Sequence, residues 1–361
     1  MGRVVAVIGG GYAGSAVAKA LDEEADVVLI DPKDAFVHAA GALRALVRPD
    51  WAENIFFPYD TLLKRGRFVR ARAASVDPGG VTLASGERID ADYLVLASGS
   101  GYPFPAKWEI DSSSEALARL RAVHAELSAA ERVLILGAGP VGLELSGEVK
   151  AVWPDKHVTV VDPAERLVPA FAPEMREELR RQLDGLGVEL RLGTRLTAQP
   201  PTEPGRRAGF TVATTDGELR ADIWFRCHGV RIDSSYLGPD LAAARTVRGP
   251  VRVSETLQVD GHEHVYAAGD LTDLDEAKMA AHAVRHAKVV ARNVLAQVRG
   301  EQPSAVYRTS PASILLPLGP RAGVGQTATP DGPSVLFAET VTQYKGADLG
   351  TDRYAELFGT S

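Results

Sequence analysis

The feature that most constrains the fold of this chain is a segment that occurs twice. Each copy reads as an apolar, β-branched strand, a glycine-rich turn, a helix, and a second apolar strand that ends in an aspartate. The first copy runs from Arg3 to Asp31, and the second runs from Arg132 to Asp162. Parallel strands joined by a helix require a right-handed crossover and a layered structure. The repeat therefore predicts an α/β protein with two Rossmann-like units.

The first glycine turn matches the G-x-G-x-x-G pattern of dinucleotide-binding proteins. The first glycine permits a tight turn, the second lets a pyrophosphate approach the backbone, and the third lets the helix pack closely on the strand. The helix N-terminus offers unpaired N–H groups to phosphates, and an acid about 20 residues later can accept from ribose hydroxyls. The alternative is a close-packed turn without a ligand. Strand, helix and acid together favour a dinucleotide site formed by Gly9, Gly10, Gly11, Tyr12, Ala13, Gly14 and Asp31.

The second turn repeats this pattern, with Gly137, Gly139 and Gly142 at the glycine positions and Asp162 as the acid. Two such units predict two dinucleotides, most simply FAD and NAD(P)H. Asp162 would accept from an adenosine 2′-OH and repel a 2′-phosphate, which favours NADH, although the nearby Arg166 weakens that preference. The alternative for Asp162 is an exposed strand end.

Charge and hydropathy argue against two classes of protein. The net charge is −7, whereas a nucleic-acid-binding surface needs a clustered positive excess. No run of about 18 apolar residues occurs, so no membrane-spanning helix is predicted, and the sequence has no signal-peptide pattern. We therefore expect a cytoplasmic protein without a nucleic-acid partner. A peripheral membrane contact and a homodimer both remain open.

Two further residue types narrow the chemistry. Cys227 is the only cysteine, which rules out an intramolecular disulfide and an iron–sulfur cluster. It ends a strand-like run, Ile223–Cys227, and we expect a buried, inert thiol. His282 and His286 have the spacing of two metal ligands on a helix, but no third ligand is evident and no metal site is predicted.

Several stretches resemble the FAD-dependent pyridine nucleotide oxidoreductases that have two dinucleotide-binding domains. Within that family the chain is most similar to the apoptosis-inducing-factor-like branch that contains the ferroptosis suppressor proteins. The resemblance implies a glutathione-reductase-like fold, with Rossmann-like domains for FAD and NAD(P)H and a short β-rich C-terminal tail. The similar stretches include Asp31–Arg44, Leu94–Ser100, Pro103–Lys107, Gly229–Tyr236, Val265–Asp270 and Gly323–Gln326.

The repeat and composition separate two dinucleotide-binding domains from a tail, and the resemblance implies that the FAD-binding domain is discontinuous. We predict an FAD-binding domain formed by residues 1–110 and 250–302, and an NAD(P)H-binding domain at 111–249. Residues 303–361 form a small C-terminal subdomain, because the chain there becomes rich in Pro, Gly and Thr with only short apolar runs. A long helix is expected from about Glu276 to Val298.

The resemblance also implies roles for single residues. Asp270 matches an aspartate that hydrogen-bonds a ribitol hydroxyl of FAD, Lys107 matches a lysine near the flavin, and His38 matches a histidine that could donate a proton. The alternatives are an N-cap for Asp270, surface charges for Lys107 and Arg44, and a packing role for His38. Further cofactor contacts implied by the resemblance are Arg44, the backbone near Ala73, Gly99 of an Ala-Ser-Gly turn, and Glu144 near the entering nicotinamide.

The implied reaction is hydride transfer from NADH to flavin N5. Because the sequence lacks a cysteine pair, the electrons would pass directly to an external, quinone-like acceptor. The N-terminus of the long helix, around Lys278–Ala281, would stabilise negative charge on the reduced ring if it faces the flavin. Two alternatives keep the flavin: a reductase or oxidase that uses a small redox protein or oxygen, and an NADH sensor that turns over slowly.

Overall fold

The computed structural model describes residues 2–346 and 348–360 of the chain. Its helices are α1 (Tyr12–Leu21), α2 (Ala42–Val47), α3 (Ser113–Ala129), α4 (Pro140–Val152), α5 (Pro173–Gly185), α6 (Pro239–Ala242), α7 (Ala280–Val298), α8 (Ala338–Lys345) and α9 (Thr351–Phe358). Its strands are β1 (Val4–Ile8), β2 (Asp26–Asp31), β3 (Ala35–Val37), β4 (Phe56–Pro58), β5 (Arg67–Arg70), β6 (Ala73–Asp77), β7 (Gly80–Leu83), β8 (Arg88–Asp90), β9 (Tyr93–Leu96), β10 (Arg132–Leu136), β11 (His157–Asp162), β12 (Val188–Leu192), β13 (Phe210–Thr214), β14 (Gly217–Ala221), β15 (Ile223–Arg226), β16 (Val265–Ala267), β17 (Ile314–Pro317), β18 (Gly323–Thr329) and β19 (Gly332–Leu336).

Two parallel sheets contain the two copies of the repeated segment. The first sheet has the strand order β16-β9-β1-β2-β5, and the second has the order β12-β11-β10-β15. In each copy the two strands pair in parallel, so that Val5 lies opposite Val27 and Val133 lies opposite Val158. The predicted α/β class and the duplicated Rossmann-like plan are confirmed.

The strands β1 and β10 lie inside their sheets because both of their faces are apolar. Val5, Val7, Val133 and Ile135 are at most 1% exposed. Helices cover the first sheet, where α1 packs on α7 and fully buries Val17. Continuous apolar runs are typical of parallel strands that are covered on both faces.

Helix α2 belongs to the N-terminal part of the sequence but packs in the core of the second sheet. Leu43 and Leu46 share one buried cluster with Ile135 and Leu143. In the opposite direction, β16 adds a late segment to the first sheet. The chain therefore passes from one unit to the other more than once. The sheet to which each strand belongs does not show where one domain ends and the next begins, so the domain limits stay a prediction.

Helix α7 begins at Ala280, four residues later than the sequence predicts. The preceding residues make contacts outside a helix: Lys278 Nζ donates to the carbonyl oxygen of Thr272 at 2.7 Å. Neither α7 nor any other helix within residues 2–346 and 348–360 is long and apolar enough to cross a membrane.

The C-terminal tail starts as a small sheet and ends in two helices. Strands β17, β18 and β19 pair antiparallel, in agreement with the β-rich tail that the sequence predicts. Helices α8 and α9 follow, and the apolar runs do not predict them. On α9, Phe358 stacks on Phe36 and Phe57 with ring centroids 5.1 and 5.8 Å apart. The tail therefore packs onto the N-terminal part of the chain.

Candidate dinucleotide sites and the charged clusters beside them

The outer glycines of both turns are required by the packing of the protein itself. Gly9 and Gly137 have φ values of +102° and +114°, in the left-handed region that favours glycine. A Cβ on Gly14 would lie 1.8 Å from the carbonyl oxygen of Gly9, and one on Gly142 would lie 1.9 Å from that of Gly137. Helix and strand approach so closely that no larger residue fits.

The middle glycines, by contrast, face open space. A Cβ added to Gly11 or Gly139 would meet nothing within 4 Å, and both residues have extended backbone that any residue adopts. They precede α1 and α4, and among the described residues no side chain caps either helix N-terminus. A pyrophosphate approaching these N–H groups would fill the space. Both turns therefore fit a dinucleotide.

The two acids at the ends of β2 and β11 hold their glycine turns in the same way. Asp31 accepts from the N–H of Gly10 at 2.7 Å, and Asp162 accepts from the N–H of Ala138 at 2.6 Å. Burial raises the pKa of Asp31 above its ordinary value. Each carboxylate oxygen can accept more than one hydrogen bond, so both acids can still accept from a ribose hydroxyl. That contact stays a prediction for both residues.

Tyr12 and Ala13 form the first turn of α1, and their side chains pack inside the protein. Ala13 is buried, and the Tyr12 hydroxyl accepts from the N–H of Ala40 at 3.1 Å. Burial raises the pKa of the Tyr12 hydroxyl above its ordinary value. The backbone N–H groups of these two residues, rather than their side chains, are what the turn offers to a phosphate.

The structure brings together two site residues that lie far apart in the sequence. Lys107 Nζ is 3.3 Å from Asp270 Oδ2. Ser100 Oγ donates to the same carboxylate oxygen at 2.5 Å and lies 2.8 Å from Lys107 Nζ. Sequence reasoning missed Ser100 as a site residue, although the Ala-Ser-Gly turn just before it marks the segment. The three side chains form a polar cluster beside the end of β16.

The residues that follow β9 and β15, the strands beside the two glycine turns, also repeat one pattern. Ala97 follows β9 and Cys227 follows β15. Two residues later, Gly99 and Gly229 have φ values of +68° and +101°, and a Cβ added to either glycine would meet nothing within 4 Å. Because Gly229 matches Gly99 in position, His228, which is exposed, lies beside the second glycine turn. It is a second candidate that sequence reasoning missed.

The thiol of Cys227 is buried, as the sequence predicts. Burial raises the pKa of this thiol to about 12. Because the thiolate is the reactive form, a thiol with so high a pKa is inert at neutral pH.

Glu144 lies at the meeting point of α4 and the C-terminal tail. Its Oε1 is 3.4 Å from Nζ of Lys345, the last residue of α8. Burial raises the pKa of Glu144 above its ordinary value, and the Lys345 ammonium opposes that change. Its contact with a nicotinamide stays a prediction.

Arg44 is buried rather than at the surface. It is 1% exposed, and its Nε and Nη2 donate to Glu148 Oε1 at 2.9 and 2.7 Å. The pair joins α2 to α4, while Glu148 Oε2 is buried without a hydrogen-bond partner among the described residues. The alternative of a solvated surface charge is wrong for Arg44, and its contact with FAD stays a prediction.

Ala73 is half-buried and is the first residue of β6, where it pairs with Leu83.

His38 has a protein partner on each ring nitrogen. Nδ1 is 3.1 Å from the Tyr12 hydroxyl, and Nε2 is 3.1 Å from the carbonyl oxygen of Leu349. The ring is 3% exposed and lies 4.6 Å from the ring of Tyr354. Burial lowers the pKa of His38 to about 4. These contacts favour a packing role over proton donation at neutral pH.

The low pKa of His38 predicts a specific loss of stability in acid. Its folded-state pKa of about 4 lies below the ordinary value of 6.5, so its contribution is complete above pH 6.5 and is lost as the pH falls towards 4. Between pH 7 and pH 5 we expect the free energy of unfolding of His38→Gln to fall by about 2 kcal/mol less than that of the wild type. Urea unfolding at both pH values measures this, and equal falls in the two proteins would contradict it.

His282 and His286 are both buried on α7 and share the carboxylate of Glu276. His286 Nε2 is 2.7 Å and His282 Nδ1 is 3.5 Å from that side chain. Within residues 2–346 and 348–360, no group of three or more His, Cys, Asp or Glu side chains could hold a metal ion. The carboxylate partner, ten residues from His286, has no motif spacing that would have identified it.

Comparison with known proteins extends over most of the chain. A family model described as pyridine nucleotide-disulphide oxidoreductase matches residues 3–287. Ferroptosis suppressor protein 1 of Taeniopygia guttata is 32% identical over 89% of this chain and 88% of its own length. Apoptosis-inducing factor homolog B of Dictyostelium discoideum is 31% identical over 97% of this chain and 95% of its own length.

Solved structures with the same fold have lower sequence identity. The sulfide:quinone oxidoreductase of Aquifex aeolicus has a TM-score of 0.75 at 20% identity, over 95% of this chain and 89% of its own. The water-forming NADH oxidase of Lactobacillus brevis bound to NADH has a TM-score of 0.69 at 20% identity, over 90% and 75%. The chain belongs to the pyridine nucleotide-disulphide oxidoreductase family, with FAD and NAD(P)H as its cofactors.

Proposed function

We propose that the chain is an FAD-dependent oxidoreductase that takes a hydride from NADH and passes the electrons directly to a quinone-like acceptor. The observation that carries the proposal is the single buried Cys227, with its raised pKa, beside two turns that fit dinucleotides. A dithiol relay needs two thiols, so the electrons have no protein disulfide to pass through. The resemblance to the ferroptosis suppressor branch favours a quinone-like acceptor.

The chain's own residues bind and orient the cofactors. Bound FAD would supply the two-electron chemistry that protein side chains lack. Asp270, paired with Lys107 and Ser100, would accept from a ribitol hydroxyl. The N–H groups at the start of α7 would stabilise negative charge near the ring by about 0.3–2 kcal/mol. The turns at Gly9–Gly14 and Gly137–Gly142 would bind the two pyrophosphates.

Lys107→Met should slow turnover while FAD stays bound. Methionine matches the length of the lysine stem but removes the ammonium 3.3 Å from Asp270, and Ser100 still donates to that carboxylate. We expect kcat to fall about tenfold, a change of roughly 1.4 kcal/mol in activation free energy. The exposed Lys288 on α7 supplies the matched control, Lys288→Met. Wild-type kcat in Lys107→Met would return this residue to the surface-charge alternative.

Asp162→Asn should narrow the preference for NADH over NADPH. The amide keeps an oxygen that accepts from the N–H of Ala138 but loses the charge that repels a 2′-phosphate. We expect the ratio of kcat/KM for NADH to that for NADPH to fall about tenfold, or roughly 1.4 kcal/mol. An unchanged ratio in steady-state assays with both coenzymes would exclude Asp162 from coenzyme selection.

An acceptor screen tests the reaction itself. The purified yellow protein is given NADH under anaerobic conditions with a soluble quinone or a ferredoxin, and under air with oxygen alone. Fast NADH oxidation with the quinone only is the expected result. Faster turnover with ferredoxin or oxygen would replace the proposal with the corresponding alternative.

Stopped-flow reduction separates an enzyme from an NADH sensor. We expect the absorbance of the oxidised flavin near 450 nm, roughly where flavins absorb, to disappear at least as fast as steady-state turnover. Slow bleaching with a persistent long-wavelength band and poor turnover would favour the sensor.

A further inference from the structure

The turn that carries Asp270 is fixed by a histidine on α7. The N–H of Gly269 donates to Nδ1 of His286 at 3.0 Å, and His286 is 1% exposed. Gly269 has a φ of +73°, and a Cβ there would lie 3.3 Å from Ala13 of α1 and 3.5 Å from Ala283 of α7. The turn therefore packs between α1 and α7, and the N–H of Gly269 has the imidazole of His286 as its hydrogen-bond acceptor.

The other ring nitrogen of His286 is bound just as firmly. Nε2 is 2.7 Å from Glu276 Oε1, and the Tyr307 hydroxyl donates to Glu276 Oε2 at 2.7 Å. The Glu276 side chain is 3% exposed. Because Nδ1 accepts from an amide, the ring proton must lie on Nε2, where the carboxylate accepts it. Glu276 thus fixes the tautomer that His286 needs to hold Gly269.

The proposed reaction gives this network no role, since His282, His286, Glu276 and Tyr307 are not among the side chains proposed to contact FAD or NADH. A direct hydrogen bond connects the network to the site through the backbone of Gly269, which is adjacent to Asp270. Losing the acceptor would leave a buried N–H unpaired and remove the hydrogen bond that fixes the turn to α7. The carboxylate of Asp270 would then move relative to Lys107 and Ser100.

We propose that His286 is a positioning residue for the flavin site: its Nδ1 fixes the Gly269–Asp270 turn so that the Asp270 carboxylate meets the FAD ribitol. This inference rests on the proposed function, because it takes FAD as the ligand of Asp270. Glu276 acts one step further away by holding the tautomer of His286. Neither residue touches the reacting atoms.

Two substitutions of His286 separate its two hydrogen bonds. In His286→Asn, Oδ1 takes the place of Nδ1 and keeps an acceptor for Gly269, while the donor to Glu276 is lost. In His286→Gln, the amide nitrogen takes the place of Nε2 and keeps the donor to Glu276, while the acceptor is lost. Tyr307→Phe is the control, because it removes a hydrogen bond from the same buried network without touching the Gly269 turn.

The measurement is the Kd for FAD of each apoprotein, with the thermal midpoint of each apoprotein recorded alongside. We expect FAD to bind about tenfold more weakly to His286→Gln, and within about threefold of wild type to His286→Asn and Tyr307→Phe. A purely structural role would lower the thermal midpoint in all three proteins without separating Asn from Gln.

Three results decide against the inference or against its premise. Equal FAD affinities for His286→Asn and His286→Gln overturn the positioning role of His286. A loss of FAD affinity of about tenfold or more in His286→Asn also overturns that role, and this result can be obtained even if His286→Gln does not fold. A wild-type apoprotein that takes up no FAD instead overturns the proposed function, so the two failures are distinguishable.

Discussion

Asp270→Ala is expected to purify as a largely colourless protein. The Asp270 carboxylate is the one anion placed against Lys107 and Ser100 by the described contacts, and it is the predicted acceptor for a ribitol hydroxyl. Removing it deletes a charged acceptor and takes away the anionic partner of the Lys107 ammonium, which keeps its contacts with Ser100; we expect a loss of about 2–4 kcal/mol. FAD affinity should fall by about thirtyfold or more.

The flavin content of the purified protein, taken from the ratio of absorbance near 450 nm to that at 280 nm, measures this loss. Asp275→Ala is the matched control, because it removes an exposed acid from the same segment five residues later. Thermal unfolding of both apoproteins shows whether the chain still folds. Full FAD content in Asp270→Ala would contradict the proposed contact with the ribitol; the alternative of an N-cap is already excluded, because Ala268 holds the cap position and Asp270 lies inside the turn.

Gly139→Ala should weaken NADH binding, whereas Gly142→Ala should destabilise the fold. A Cβ at position 139 enters open space on extended backbone, so the apoprotein should be as stable as wild type. The methyl group nevertheless occupies the place of the pyrophosphate, and NADH binding should weaken by about tenfold or more. A Cβ at position 142 meets the Gly137 carbonyl oxygen at 1.9 Å, so the fold itself should lose about 3 kcal/mol or more.

Urea unfolding of the apoproteins and the Kd for NADH together separate the two cases. Gly187→Ala is not a suitable control, because its φ of +69° adds strain, whereas Gly185→Ala adds a methyl group in open space at the end of α5. If Gly139→Ala binds NADH as wild type does, the second turn does not hold a pyrophosphate. If Gly142→Ala is as stable as wild type, helix and strand can separate there at little cost.

The features that the sequence predicts correctly are those encoded within about thirty residues. The turn from Gly9 to Gly14, the strand β1 before it and the acid at Asp31 follow each other directly, so strand, glycine spacing and acid can be read as one unit. The same holds for the second copy at Gly137–Asp162. Even here, the motif does not predict the hydrogen bonds from Gly10 to Asp31 and from Ala138 to Asp162, because a pattern specifies residue types rather than contacts.

The tail illustrates where local reading fails. Its short apolar runs correctly predict β17–β19, but α8 and α9 have only eight residues each, and the apolar runs do not predict them. Their conformation depends on what they pack against, such as Phe358 against Phe36 and Phe57. Tertiary packing, rather than intrinsic propensity, stabilises helices this short.

By itself, the sequence determined the duplicated α/β plan, the two glycine turns and, through one cysteine, the absence of an internal disulfide. Only the tertiary structure decided which polar groups pair: Lys107 with Asp270, Arg44 with Glu148, and His38 with the carbonyl oxygen of Leu349, across separations of 163, 104 and 311 residues. The physical reason is that a glycine turn is set by local sterics, which neighbouring residues encode. A buried ion pair or a shifted pKa is set by which distant segments exclude water from the same place, and no sequence spacing records that.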